Sequence, residues 1–159
     1  MKKWSIFFSA LYFVGCGGDD SLRSDGGGDC ETKILNGNYI IRSTREAEAL
    51  ERAGGCSYTI AGDLEITEVS AAILEGLDEL STVGGDLRIH DNKELKSFEG
   101  LVDLTTVGGH VYIHDNEELI SFKGMFLQTV SGHVKVYKND KLVDVDGLSK
   151  LNTVGGDLQ

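Results

Sequence analysis

The sequence predicts a mainly β protein in which parallel strands stack along a solenoid of 23 to 24 residue turns, and three observations carry that reading. The first is a repeated Gly-x-apolar-x-apolar segment: Gly62 to Ile66 (GDLEI), Gly85 to Ile89 (GDLRI), Gly109 to Ile113 (GHVYI), Gly132 to Val136 (GHVKV), and Gly156 opening another. The starts lie 23, 24, 23 and 24 residues apart, and a fixed period of this size marks a solenoid. The second is that later landmarks keep step. Asn92, Asn116 and Asn139 follow the repeat glycine by seven residues, Leu95, Leu119 and Leu142 by ten, and Phe98, Phe122 and Val145 by thirteen, with Val107, Val130 and Val154 before the next start. The third is composition: 21 glycines and no proline in 159 residues suit many short paired strands, because proline cannot donate to a central ladder.

The amino terminus reads as a targeting segment. Lys2 and Lys3 precede the apolar run Trp4 to Val14, which is too short to span a bilayer but fits the core of a signal peptide over residues 1–15. Phe13-Val14-Gly15-Cys16 resembles a bacterial lipobox, with Phe13 in place of the usual leucine, and this implies lipidation at Cys16. Residues 16–29 are mostly Gly, Asp and Ser, a composition that cannot bury enough apolar surface to fold and so predicts a flexible tether. The expected location is the bacterial cell envelope, lipid-anchored, at the outer membrane or cell surface.

With Cys16 assigned to lipid, Cys30 and Cys56 remain as an even pair in an exported chain, which argues for a disulfide. Ligation of a metal by two isolated cysteines is the weaker reading. Between them, Gly37 to Ile41 forms a degenerate first turn of the repeat. Ser43 with Glu46 makes a capping box, and the helix formers that follow stop at Gly54-Gly55, so a helix is expected over Thr44 to Ala53. Ala47, Leu50 and Ala53 are its expected packing face, and its expected place is over the open amino-terminal end of the stack.

The units Gly85 to Leu101 (GDLRIHDNKELKSFEGL) and Gly109 to Gly124 (GHVYIHDNEELISFKG) resemble the receptor L-domain, the leucine-rich solenoid of insulin and EGF receptor ectodomains. The resemblance covers residues 30–159. It implies a right-handed parallel β-helix whose role is binding rather than catalysis.

Alternation within each strand sends positions two and four after the repeat glycine into the core and positions one, three and five outward. The outward columns are Asp63, Asp86, His110, His133, Asp157; Glu65, Arg88, Tyr112, Lys135, Gln159; and Thr67, His90, His114, Tyr137. Arg88, His90, Tyr112, His114, Lys135 and Tyr137 are the candidate ligand-binding residues, chosen by position and by the frequency of tyrosine and arginine as binding anchors. All four histidines lie in these columns. His110 and His114 are about 13 Å apart along a strand, so they cannot share one ion. His90 with His114, and His110 with His133, are lateral neighbours that still need a third ligand, for which only Asp86 is placed. No metal site and no cofactor is assigned. The asparagine column reads as a hydrogen-bonded corner, and Asp144 with Asp146 is the one close acidic pair in a late repeat.

A formal charge of −11, or −13 once residues 1–15 are removed, repels nucleic acid and anionic headgroups, so contact with the membrane is expected through the lipid anchor alone. The expected function is a non-enzymatic module that binds a protein or glycan through its exposed sheet. The alternatives are a structural spacer and a polysaccharide-active β-helix enzyme, which needs convergent carboxylates in a cleft. Because the sequence stops at Gly156-Asp-Leu-Gln159, inside a strand whose predecessors continue into a corner, further turns of the same period are expected to follow it.

Overall fold

The computed structural model describes residues 31–159; the signal segment, Cys16, the tether and Cys30 lie outside the described residues. The chain runs through β1 (Lys33–Leu35), β2 (Tyr39–Ile41), α1 (Thr44–Gly54), β3 (Tyr58–Ile60), β4 (Leu64–Thr67), β5 (Leu80–Val83) and β6 (Leu87–His90). It continues through β7 (Thr106–Val107), β8 (Val111–His114), β9 (Thr129–Val130), β10 (Val134–Tyr137), a 3-10 turn (Asp146–Leu148) and β11 (Thr153–Val154). Odd-numbered strands form a six-stranded sheet in the order β1-β3-β5-β7-β9-β11, and even-numbered strands form a five-stranded sheet in the order β10-β8-β6-β4-β2. Every pairing is parallel. The protein is therefore mainly β, built on two parallel sheets.

Each strand pairs with the one two places along, so register follows the repeat directly: Leu64↔Leu87↔Val111↔Val134 and Ile66↔Ile89↔Ile113↔Val136. These are the inward positions, and all but Val136 are fully buried. Ile60, Val83, Val107 and Val130 face them from the other sheet, and Phe98 and Phe122 fill the connecting loops with ring centroids 5.3 Å apart. Burying side chains of this size contributes roughly 2 kcal/mol each.

The Gly-x-apolar-x-apolar repeat maps onto the five-stranded sheet, whereas the six-stranded sheet has no comparable signal in the sequence. Its later strands are Thr-Val pairs two residues long, too short to show alternation. They carry Thr82, Thr106, Thr129 and Thr153 outward in one line.

The helix starts where the capping box places it. Ser43 Oγ accepts from the Glu46 N–H, while the Glu46 carboxylate reaches back to the N–H of Arg42 rather than of Ser43. It ends one residue later than expected, and its buried face is Ala47, Leu50 and Gly54, so the assignment of Ala53 to that face is wrong: Ala53 is exposed. Gly54 takes the packed position because a Cβ there would stand 2.3 Å from the Tyr58 ring. The helix connects β2 to β3, packs against β1, β2 and β3, and lies against Gly76 of the next loop. Among the described residues no helix is long and apolar enough to cross a membrane.

Candidate functional site

The outer face of the five-stranded sheet gathers the six candidate binding residues. Arg88, Tyr112 and Lys135 are register partners on β6, β8 and β10, and so are His90, His114 and Tyr137. The two lines are parallel and two residues apart, which separates them by about 7 Å, with neighbours within each line about 4.8 Å apart. Tyr137 is the most open of the six, at 45 % exposure.

In the second line the rings stack. The centroids of His90 and His114 are 5.0 Å apart, those of His114 and Tyr137 are 4.7 Å apart, and the planes differ by 7° and 9°. Carboxylates hold the imidazoles: His90 Nδ1 lies 2.8 Å from Asp91 Oδ2 and its Nε2 3.3 Å from Glu65 Oε1, while His114 Nδ1 lies 2.8 Å from Asp115 Oδ2. The hydrogen bond from His114, with Lys138 beside it, holds the Asp115 carboxyl below its ordinary range. An ionised Asp115 only accepts, so a neutral His114 carries its proton on Nδ1 and turns an accepting Nε2 outward.

In the first line Arg88 is tied to Asp86 and to Asp63 and lies 5.7 Å from the centre of the Tyr112 ring. Lys135, by contrast, has no ion-pair partner among the described residues.

The outward line at position one does something that alternation alone does not disclose. Asn38 Oδ1 accepts from the N–H of Asp63, Asp63 Oδ1 from Asp86, Asp86 Oδ1 from His110, His110 Nδ1 from His133, and His133 Nδ1 from Asp157. The distances run from 2.7 to 2.9 Å. Asn, Asp and His share this line because each carries an acceptor on the same bond out from Cγ. That shared chemistry was the sequence signal for the ladder. The repeat glycines follow from it as well: a Cβ on Gly85 or Gly109 would meet the acceptor oxygen of the preceding repeat at 2.2 Å, and one on Gly132 would meet His110 Nδ1 at 2.5 Å. The line is thus structural: in a neutral ring an accepting Nδ1 leaves the proton on Nε2, so neither His110 nor His133 has a lone pair to offer a metal beside Asp86. Among the described residues no three His, Cys, Asp or Glu side chains converge as a metal centre.

The asparagine line forms the corner expected of it. Asn92, Asn116 and Asn139 donate to the carbonyls of Ile66, Ile89 and Ile113, and each of the first two also donates to the amide oxygen of the next asparagine. Val69 stands at the missing first member and donates its N–H to Asn92 Oδ1. The residue before each takes a left-handed conformation without being glycine: Glu68, Asp91, Asp115 and Lys138 have φ of 52 to 57°. Asp144 and Asp146 make a turn, in which Asp144 Oδ1 accepts from the Asp146 N–H. Cys56 is disulfide-bonded, and its expected partner, Cys30, is outside the described residues.

No family model matches this chain, and neither a curated protein nor a solved structure matches it.

Proposed function

We propose that this chain is a non-enzymatic binding module of the bacterial envelope. It is anchored by lipid on Cys16 and built as a right-handed parallel β-solenoid of the receptor L-domain kind, with α1 at its amino-terminal end. A Cys30–Cys56 disulfide ties that end, worth roughly 3 kcal/mol in the chain-entropy model. The ligand, a protein or a glycan, lies on the outer face of the five-stranded sheet. One observation supports this above the rest: Arg88, Tyr112 and Lys135 lie in one register line and His90, His114 and Tyr137 in the next, a contiguous patch of cationic, aromatic and imidazole groups. Tyrosine and arginine, three of the six residues, are among the groups that supply most of the energy at recognition surfaces.

The test is capture from the native envelope with the full chain, comparing the natural protein with Tyr112→Ser plus Tyr137→Ser. Loss of a captured partner with unchanged melting supports binding at this face; an identical set of captured molecules places binding elsewhere on the chain, and capture of nothing by either form supports a passive spacer. Separately, Cys16→Ser is expected to move the protein from the membrane to the soluble fraction, since blocking acylation removes the anchor. Retention in the membrane fraction overturns the lipid assignment.

A further inference from the structure

We infer that the ligand of this face is a sugar chain carrying an isolated carboxylate, held by the imidazole Nε2–H groups of His110 and His133 together with the ammonium of Lys135. The inference rests on the binding-module reading and adds two residues to it. His110 and His133 immediately precede β8 and β10, and each receives a backbone N–H on Nδ1, from His133 at 2.9 Å and from Asp157 at 2.7 Å. A neutral imidazole that accepts at Nδ1 must carry its proton on Nε2. The ladder therefore fixes the tautomer of both rings and makes each a donor. Their centroids are 5.1 Å apart and their planes within 7°, so the two donors are set in parallel, and no bond from either Nε2 to the described residues satisfies them.

Lys135 lies two residues beyond His133 on the same face, about 7 Å away, and is register partner to Tyr112. The patch thus offers parallel neutral donors beside a cation with no ion-pair partner among the described residues, which suits a carboxylate. The neighbouring line adds an acceptor, because His114 presents an accepting Nε2 beside the Tyr137 hydroxyl, which both donates and accepts. A group with both a carboxylate and hydroxyl donors fits this arrangement, and an acidic sugar has both. A polyanion does not fit: the formal charge of the chain is −11, and Asp63, Asp86, Asp115 and Asp157 surround the patch.

The repeat itself supplies the variants for the test. Asn38 occupies the same line, so His110→Asn with His133→Asn keeps the acceptor for the ladder while removing the outward imidazole donors. Calorimetry on the full chain would use oligosaccharides ending in glucuronate or sialate, each beside its carboxyl-reduced form. Binding of an acidic sugar is expected, about tenfold weaker or more in the reduced form, in the double asparagine variant and in Lys135→Gln, with melting temperatures unchanged. Equal affinity for the reduced sugars, or full affinity in the variants, overturns the inference. So does failure of every acidic sugar, or preference for an acidic peptide. If a neutral glycan or a protein binds and is lost with Tyr112→Ser plus Tyr137→Ser, the binding-module reading stands and this inference falls. If nothing from the envelope binds the face, both fall.

Discussion

The backbone N–H of His133 donates to Nδ1 of His110 across 2.9 Å, and one repeat earlier the N–H of His110 donates to Oδ1 of Asp86 across 2.7 Å. An imidazole and a carboxylate therefore do the same structural task in consecutive repeats. What matters at this position is an acceptor two bonds from Cβ, whatever its charge.

Replacement of His110 by Asn or Asp is accordingly expected to leave stability within about 0.5 kcal/mol, while His110→Ala leaves the His133 N–H without its acceptor and costs about 1 to 2 kcal/mol. Urea unfolding of the set checks this. Equal loss in the Asn and Ala variants would refute the acceptor rule. Gly109→Ala tests the same contact from the other side: its Cβ would stand 2.2 Å from Asp86 Oδ1 and 2.7 Å from the Gly85 carbonyl carbon, an overpacking cost of about 1 to 3 kcal/mol.

Asn116 is fully buried, donates to Ile89 O, His114 O and Asn139 Oδ1, and accepts from Asn92. Asn116→Ala is expected to cost about 3 kcal/mol or more, because several buried backbone groups lose partners together. Asn116→Asp keeps the shape but removes the donors and buries a charge, so it is expected to be no better than alanine. Thermal denaturation ranks the two, and a tolerated Asp would mean that shape rather than hydrogen bonding holds the corner.

Tyr58 is buried and its hydroxyl has no hydrogen-bond partner in the described residues. Burial, with Glu51, Asp78 and Glu79 nearby, pushes its ionisation far above the ordinary tyrosine range. Tyr58→Phe removes an unsatisfied group at constant shape and is expected to be neutral or stabilising by about 1 kcal/mol. Loss of more than about 1 kcal/mol in chemical denaturation would show that the hydroxyl is satisfied.

Burial, then the charges of Asp78 and Glu79, raise the Glu51 carboxyl above its ordinary value. A group raised in the folded state binds its proton more tightly there, so its contribution is fully present below the unfolded pKa and is lost as pH rises through the folded pKa. Glu51→Gln should therefore raise the melting temperature at neutral pH, by an amount that shrinks on acidification and vanishes below the ordinary glutamate range. Melting curves across pH check the sign; a constant offset would remove the charge explanation.

Much of this fold is legible in the sequence because parallel stacking turns a repeat period directly into register. Leu87, Val111 and Val134 align in the chain and pair in space. The asparagine corner was readable for the same reason. The second sheet was not, since strands such as Thr129–Val130 are too short to carry a period. At the candidate site, alternation placed Arg88, Tyr112 and Lys135 together correctly. It could not separate an outward side chain without an ion-pair partner among the described residues, such as Lys135, from one engaged with the next repeat, such as His110, because direction and hydrogen bonding are independent. Ala53 failed at the helix end, where Tyr58 leaves room for glycine alone.

The left-handed corner residues Glu68, Asp91, Asp115 and Lys138 complete a unit that brings its own acceptor, its own amide donor and its own bend. A tandem duplication of one 23 or 24 residue segment would therefore arrive with both faces of its junction already matched to the neighbours, as the spacing of the repeat glycines implies. Such a chain can lengthen in the genome without evolving a new interface. Its outer sheet face would grow by one row of side chains per duplication, each free to diverge at positions three and five while the junction holds.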